Sequence, residues 1–160
     1  MTGVSIMDDI KRAPDRLNIT KKANAIIAKI DQEKYFGLQN NCISRSELFL
    51  FMMALGLSVR TPTRLENTHP GGLILASSLS SRTQSLMYAL FISTLSGEDI
   101  DRVTQKDLVY EMAQQYANTG FEIIEDEMNK MTDKKLMWDV IQELDNKYDE
   151  LFPDENTIES

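Results

Sequence analysis

Ser44-Arg45-Ser46-Glu47-Leu48-Phe49-Leu50-Phe51-Met52-Met53-Ala54-Leu55-Gly56-Leu57 is the stretch that decides the fold. Ser44 is a strong helix N-cap, and Glu47, three residues on, completes a capping box. From Leu48 to Leu55 no position is polar. A helix that is apolar all round has no face to give to water, so the rest of the chain is expected to cover it. Gly56, or the Ser58 region just beyond, is placed to end it. The run is far short of the ~20 residues that a bilayer-spanning helix needs.

Working outward, Thr20 caps a helix to about Lys34, with Ala23, Ile26, Ile27 and Ile30 on one face. Before it, Arg16–Thr20 alternates apolar Leu17 and Ile19 with polar Arg16, Asn18 and Thr20, a strand-like period of two. Tyr35–Asn41 reads as a loop, with Gly37 and two asparagines as breakers. The N-terminal residues 1–15 read as weakly structured, closed by Pro14. After the apolar helix, Arg60–Gly72 holds Pro62, Pro70 and Gly71-Gly72 and reads as a long irregular connection. Gly72–Leu75 reads as a short extended piece or the start of the next helix.

Ser81 with Gln84 has the form of a second capping box, followed by an apolar face of Leu86, Met87, Leu90, Phe91 and Leu95, with Gly97 at the C-terminal end. Thr104 and Asp107 open the longest periodic stretch, to about Met131, with Leu108, Val109, Met112, Ala113, Tyr116, Ala117, Phe121, Ile124 and Met128 in helical register. A glycine inside a helix costs about 1 kcal/mol against alanine, so Gly120 marks a close helix contact or a kink. A last helix, from about Asp133 to Leu151, presents Leu136, Met137, Val140, Ile141, Leu144 and Tyr148 as its inward face, and Pro153 ends it. The expectation is an all-α fold of about five helices around 44–57, with at most one short N-terminal strand. Residues 1–152 form a single helical domain, made of a 16–58 segment and a 59–152 C-terminal part, and 153–160 is an acidic tail.

The chain has 160 residues, 42% of them hydrophobic and 26% charged, the composition of a folded globular protein. The start has no uninterrupted apolar segment of signal-peptide type, and one cysteine cannot form an internal disulfide, so the expected compartment is the cytoplasm. The net charge of −8 is unevenly spread. Residues 1–66 carry ten Lys/Arg against seven Asp/Glu, which leaves +3 there and −11 on the remainder. Broad binding to nucleic acid is disfavoured by that balance, although a local basic face on the first half is compatible with it.

No phosphate-binding glycine loop, zinc-protease motif, nucleophile elbow or Cys/His metal cluster occurs, so no catalytic, cofactor or metal residues are assigned and no enzyme is expected. Cys42 and His69 read as a small residue near a helix start and a loop histidine. Glu122, Glu125, Asp126 and Glu127 read as a solvated helix face, and the nine methionines as packing.

Arg16-Leu17-Asn18-Ile19-Thr20, a helix, a loop and then Ile43–Leu48 resemble a ribbon–helix–helix module over about a quarter of the chain. In that family a short strand pairs with its dimer mate and the ribbon enters the DNA major groove. The resemblance implies Arg16, Asn18 and Thr20 as the base-facing side, with Leu17 and Ile19 in the core. It also implies Lys22, and Arg45 with the amides near Ser44, as phosphate contacts. The loop between its helices is longer than usual and its second helix has no polar side.

A second resemblance spans both halves. Tyr116-Ala117-Asn118-Thr119-Gly120-Phe121-Glu122-Ile123-Ile124 resembles the YANGG(L/F)EIL stretch of a bacterial family of DNA phosphorothioation-associated accessory proteins, with Thr119 in place of the first glycine. Those proteins also carry an apolar helix ending in Ala-Leu-Gly, here Ala54-Leu55-Gly56, and then a basic, proline-containing loop, here Arg60-Thr61-Pro62. The resemblance implies a cytoplasmic, non-enzymatic accessory or adaptor of a DNA-modification or defence system, working through protein partners and weak DNA contacts. A homodimeric ribbon–helix–helix-like transcriptional regulator is the alternative.

Overall fold

The computed structural model describes residues 15–33, 43–59, 61–130 and 136–151. The readings of residues 1–14, of the 35–41 loop, of Cys42, of Met131 and of the 153–160 tail lie outside them. The chain is all-α with one short two-stranded sheet: β1 (Arg16–Leu17), α1 (Lys21–Glu33), α2 (Arg45–Ser58), β2 (Ile74–Leu75), α3 (Ser81–Ile92), α4 (Lys106–Lys130) and α5 (Leu136–Leu151). Short 3-10 segments at Ala76–Ser78 and Gly97–Thr104 lead into and follow α3.

α2 starts as its sequence dictates. The Glu47 amide donates to the Ser44 hydroxyl oxygen at 3.2 Å, and the Ser44 amide donates to the Glu47 carboxylate at 3.0 Å. The Ser44 hydroxyl, which donates to the Glu47 carboxylate at 2.7 Å, and then the Ser44 amide hold that carboxyl below the usual carboxylate range. Leu48, Phe49, Met52, Met53 and Gly56 are buried, whereas Leu50, Phe51, Leu55 and Leu57 are half-buried and Ala54 is exposed. The uniform apolarity of the stretch therefore overstates its enclosure. One side is sealed and the other only partly covered.

The sealing partner is α4, and the α2–α4 contact is the most extensive between any two elements. Gly56 does not end α2, which runs on to Ser58. A methyl group at Gly56 would overlap the Tyr116 carbonyl oxygen and lie 2.8 Å from its carbon. One at Gly120 would overlap the Met52 carbonyl oxygen and lie 2.8 Å from the Met52 Cα. The two glycines let the helix backbones touch, so Asn118-Thr119-Gly120 is a contact and not a kink, and α4 is unbroken through it.

The predicted face of α1 (Ala23, Ile26, Ile27, Ile30) is buried in the same core, together with Leu17, Ile19, Met87, Val109, Phe121 and Ile124. Elsewhere the register differs from expectation. α3 is capped by Ser80, whose hydroxyl accepts from the Thr83 amide at 3.1 Å, and not by Ser81. Further along α3, Leu86 points outward (44% exposed) while Met87 and Phe91 go inward. α3 stops at Ile92, and Gly97 opens a 3-10 segment. In α5, Ile141, Leu144 and Tyr148 are 37, 41 and 63% exposed, so these three face solvent and not the core, while the readings of the Leu136, Met137 and Val140 side chains lie outside the description.

Tyr110, on α4, has no exposed surface, and its phenol oxygen has no hydrogen-bond partner among the described residues. Burial pushes its pKa above the usual tyrosine value. A buried group without a partner carries its desolvation cost uncompensated, typically about 1–3 kcal/mol. Tyr110→Phe is therefore expected to be neutral or to stabilise by about 1 kcal/mol in urea unfolding. The native state keeps this proton longer than the unfolded chain does. The wild type should accordingly lose stability as pH rises above about 10, and the variant should lack that component. A loss above about 1 kcal/mol on substitution would place a hydrogen-bond acceptor at the hydroxyl.

Candidate functional site

The first strand, the irregular 61–73 connection and the middle of α4 are tied together by buried polar side chains. Gln114 accepts from the Asn18 amide at 2.6 Å through Oε1 and donates to the Tyr110 carbonyl through Nε2. Thr119 donates to the Thr61 carbonyl at 2.7 Å, and its oxygen lies 2.9 Å from the Thr63 hydroxyl. Thr20 caps α1 by accepting from the Ala23 amide at 3.0 Å and donates to Asn118 Oδ1 at 3.3 Å. Asn67, at φ 53°, takes the left-handed conformation that asparagine tolerates, and its carbonyl accepts from the Lys21 amide. Polar residues on an apolar helix face thus replace regular structure as the clamp on this connection.

Between these elements lies an open cleft of about 400 Å³, at the N-terminal end of α1. Thr20 and Lys22 line one wall, Thr63 and Arg64 a second, and Asn118 and Glu122 the third. Lys22 Nζ is 2.6 Å from Glu125 Oε2, and this bond raises the Lys22 pKa. Thr63 donates weakly to Glu122 Oε2 at 3.4 Å. Arg64 and Glu66, both exposed and both at the cleft, have no ion pair among the described residues.

The six residues assigned to DNA contact fall in four places. Thr20 and Lys22 meet in this cleft, but Thr20 is only 8% exposed and its hydroxyl is taken by Asn118. Asn18 lies in a neighbouring depression beside Gln114, and Arg16 donates to the Gly71 carbonyl at 2.8 Å. Ser44 and Arg45 sit at the start of α2, where Arg45 grips Asp31 with a shorter contact of 2.6 Å. The structure does not bring the six onto one surface.

The strand has an intramolecular partner. Arg16 pairs with Leu75 and Leu17 with Ile74, antiparallel, and Thr20 bridges to Thr68. The Leu17 and Ile19 carbonyls accept from the Leu73 and His69 amides on that edge. On the opposite edge Gln114 occupies the Asn18 amide. Among the described residues no group of three or more His, Cys, Asp or Glu is arranged to hold a metal ion, and Glu125 and Glu127 are engaged by Lys22 and Lys130. No described helix is long and apolar enough to cross a membrane.

Comparison with protein-family models, with curated proteins and with solved structures finds no match to this chain. Asn118 and Arg64 escape a reading of the sequence because they meet only through the fold. The available signal was an asparagine in register with the buried stripe of α4, where a polar side chain needs a partner.

Proposed function

We propose that this chain is a non-enzymatic accessory or adaptor of a DNA-modification or defence system, acting in the cytoplasm through protein contacts. The observation that carries the reading is α5. It presents Ile141, Leu144 and Tyr148 to solvent at helical spacing, on a helix that also bears Asp139, Glu143, Asp145, Asp149 and Glu150. An amphipathic helix with an exposed apolar stripe is the form that docks into the groove of another protein. The assignment to DNA modification draws on the sequence resemblance. Its segments are neighbours in space, since Gly56 packs on Tyr116 and Thr61 accepts from Thr119.

DNA is a poor direct ligand in this reading. Lys22 and Arg45 are paired with carboxylates, Thr20 is inside the protein, and most of the chain's negative charge follows residue 66. The test is co-expression with the products of adjoining genes. One of them should co-purify and be lost with Leu144→Asp, which leaves the core intact. A parallel titration of plain and phosphorothioate duplexes at low salt should give weak binding. Tight binding that falls with log salt by about 0.9 per phosphate contact, and that Arg16→Ala abolishes, would replace the adaptor with a DNA-binding regulator.

A further inference from the structure

We propose that the chain forms a twofold dimer in which α5 of each copy lies in the groove between α2 and α3 of the other. The groove is made by two helices running side by side in the same direction. At one end the start of α2 (Ser44, Leu50) and the start of α3 (Ser80, Leu86) share a hollow of about 410 Å³. At the other end Leu57 shares a hollow of about 310 Å³ with Ser93 and Thr94, just past the end of α3. The walls between are apolar and open: Leu50 and Leu57 are half-buried, and Ala54 and Leu86 are exposed.

α5 is a helix in need of a seat. Every described residue of it except Lys147 is exposed, and it makes no extensive contact with another element among the described residues. A helix of 16 residues is marginal by itself in water and gains stability by burying an apolar face. Ile141, Leu144 and Tyr148 stand at i, i+3 and i+7, the spacing with which a helix anchors in a groove.

Charge sets the direction of the fit. α5 carries Asp139, Glu143, Asp145, Asp149 and Glu150 against Lys147, whereas α2 and α3 together carry Arg45 and Arg82 against Glu47. Two α5 helices side by side would bring like charges together, and the groove does not. Because α2 and α3 are parallel, their dipoles add, with the positive end at the hollow that Arg82 also lines. The C-terminal half of α5, with Asp145, Asp149 and Glu150, belongs at that end, so α5 lies antiparallel to both helices.

In that direction its own groove is out of reach. Gly56 faces Tyr116 while Met52 faces Gly120, so α4 runs antiparallel to α2 and ends beside the start of α2. An antiparallel α5 must begin at the far end, about 21 Å along the 14 residues of α2 and around the width of a helix, about 10 Å. The five residues between Lys130 and Leu136 reach about 20 Å when fully extended. A second copy meets no such limit, and the exchange is reciprocal, so the assembly closes at two. This inference rests on the reading of α5 as a docking helix and names a second copy as what it docks on.

The experiment is sedimentation velocity of the full chain from about 1 to about 200 μM. The mass should pass from 18.3 kDa to twice that value, with a Kd of about 10 μM, ordinary for a small interface. Leu144→Asp spoils the anchor and Leu86→Asp the groove wall, both at exposed positions, and each should raise the Kd about tenfold or more. Ala54→Glu, on the same face of α2 as Leu50 and Leu57, serves as the groove variant if Leu86→Asp lowers the urea midpoint. A wild-type chain still monomeric at about 200 μM, or a dimer that survives a folded groove variant, overturns the proposal. Leu86→Asp leaves α5 whole, so a gene product held by α5 should co-purify with it as with the wild type. Co-purification from a monomeric wild type overturns the dimer and keeps the adaptor reading. A dimer that both Leu144→Asp and the groove variant abolish, with no co-purifying product, does the reverse.

Discussion

Gly120→Ala should destabilise the protein by about 3 kcal/mol or more, although helix propensity alone would make it more stable by about 1 kcal/mol. The two effects have opposite signs, so the measurement is unambiguous. At Gly120 the added methyl meets the Met52 backbone, and at Gly56 it meets the Tyr116 backbone. Neither obstacle can rotate aside as a side chain would. The helices must separate, and separating them loosens Phe49, Met52, Met53, Tyr116, Ala117 and Phe121 together, all buried in the shared core. Gly56→Ala should act alike. The double variant should cost less than the sum of the two, because one separation relieves both overlaps. Urea midpoints at unchanged m-value give the answer. A Gly120→Ala protein as stable as the wild type would mean that the backbones do not touch.

Against a typical domain stability of about 5–15 kcal/mol, that contact is a large fraction of what holds the chain folded. It also explains the division between what was legible in the sequence and what was not. Local signals were reliable where the physics is local. The capping box of Ser44 and Glu47, the buried face of α1, the alternation of Leu17 and Ile19 and the long register of α4 all appear as their spacing dictates. Glycine is ambiguous by nature, since a stop, a kink and a close contact all need the missing Cβ. Gly56 reads as one of two ends for α2, the other being the Ser58 region where the helix does stop, and Gly120 reads as a contact or bend; only the juxtaposition of α2 and α4 makes both glycines contacts.

The site was legible in part for the same reason. Thr20 and Lys22 stand out in sequence because they follow an alternating strand and open a helix. Their surroundings come from Arg64 and Asn118, and the Thr20–Asn118 bond joins residues 98 positions apart. No spacing rule reaches that far. In α5 the pattern correctly gave an amphipathic helix, but amphipathicity says only that one face is apolar. In this chain Ile141, Leu144 and Tyr148 point to solvent, which is why they carry the proposed docking role.

Phe49 and Phe51 provide the sharpest test of how α2 is enclosed. In the sequence they are equivalent, two aromatic residues in an unbroken apolar run, and full enclosure would make Phe51→Ala cost about 3–5 kcal/mol. Phe49 has no exposed surface and lies in the core shared with α4, whereas Phe51 is half-buried at its margin. Phe49→Ala is therefore expected to cost about 3–5 kcal/mol, through lost transfer energy together with a cavity that rigid neighbours cannot fill. Phe51→Ala should cost about 1–2 kcal/mol, since less area returns to water and no closed cavity forms. The comparison needs only two urea curves on monomeric protein. Equal losses at both positions would mean that something covers the Phe51 side of α2 in solution, and the uniform apolarity of Leu48–Leu55 would then have been the better guide to its environment.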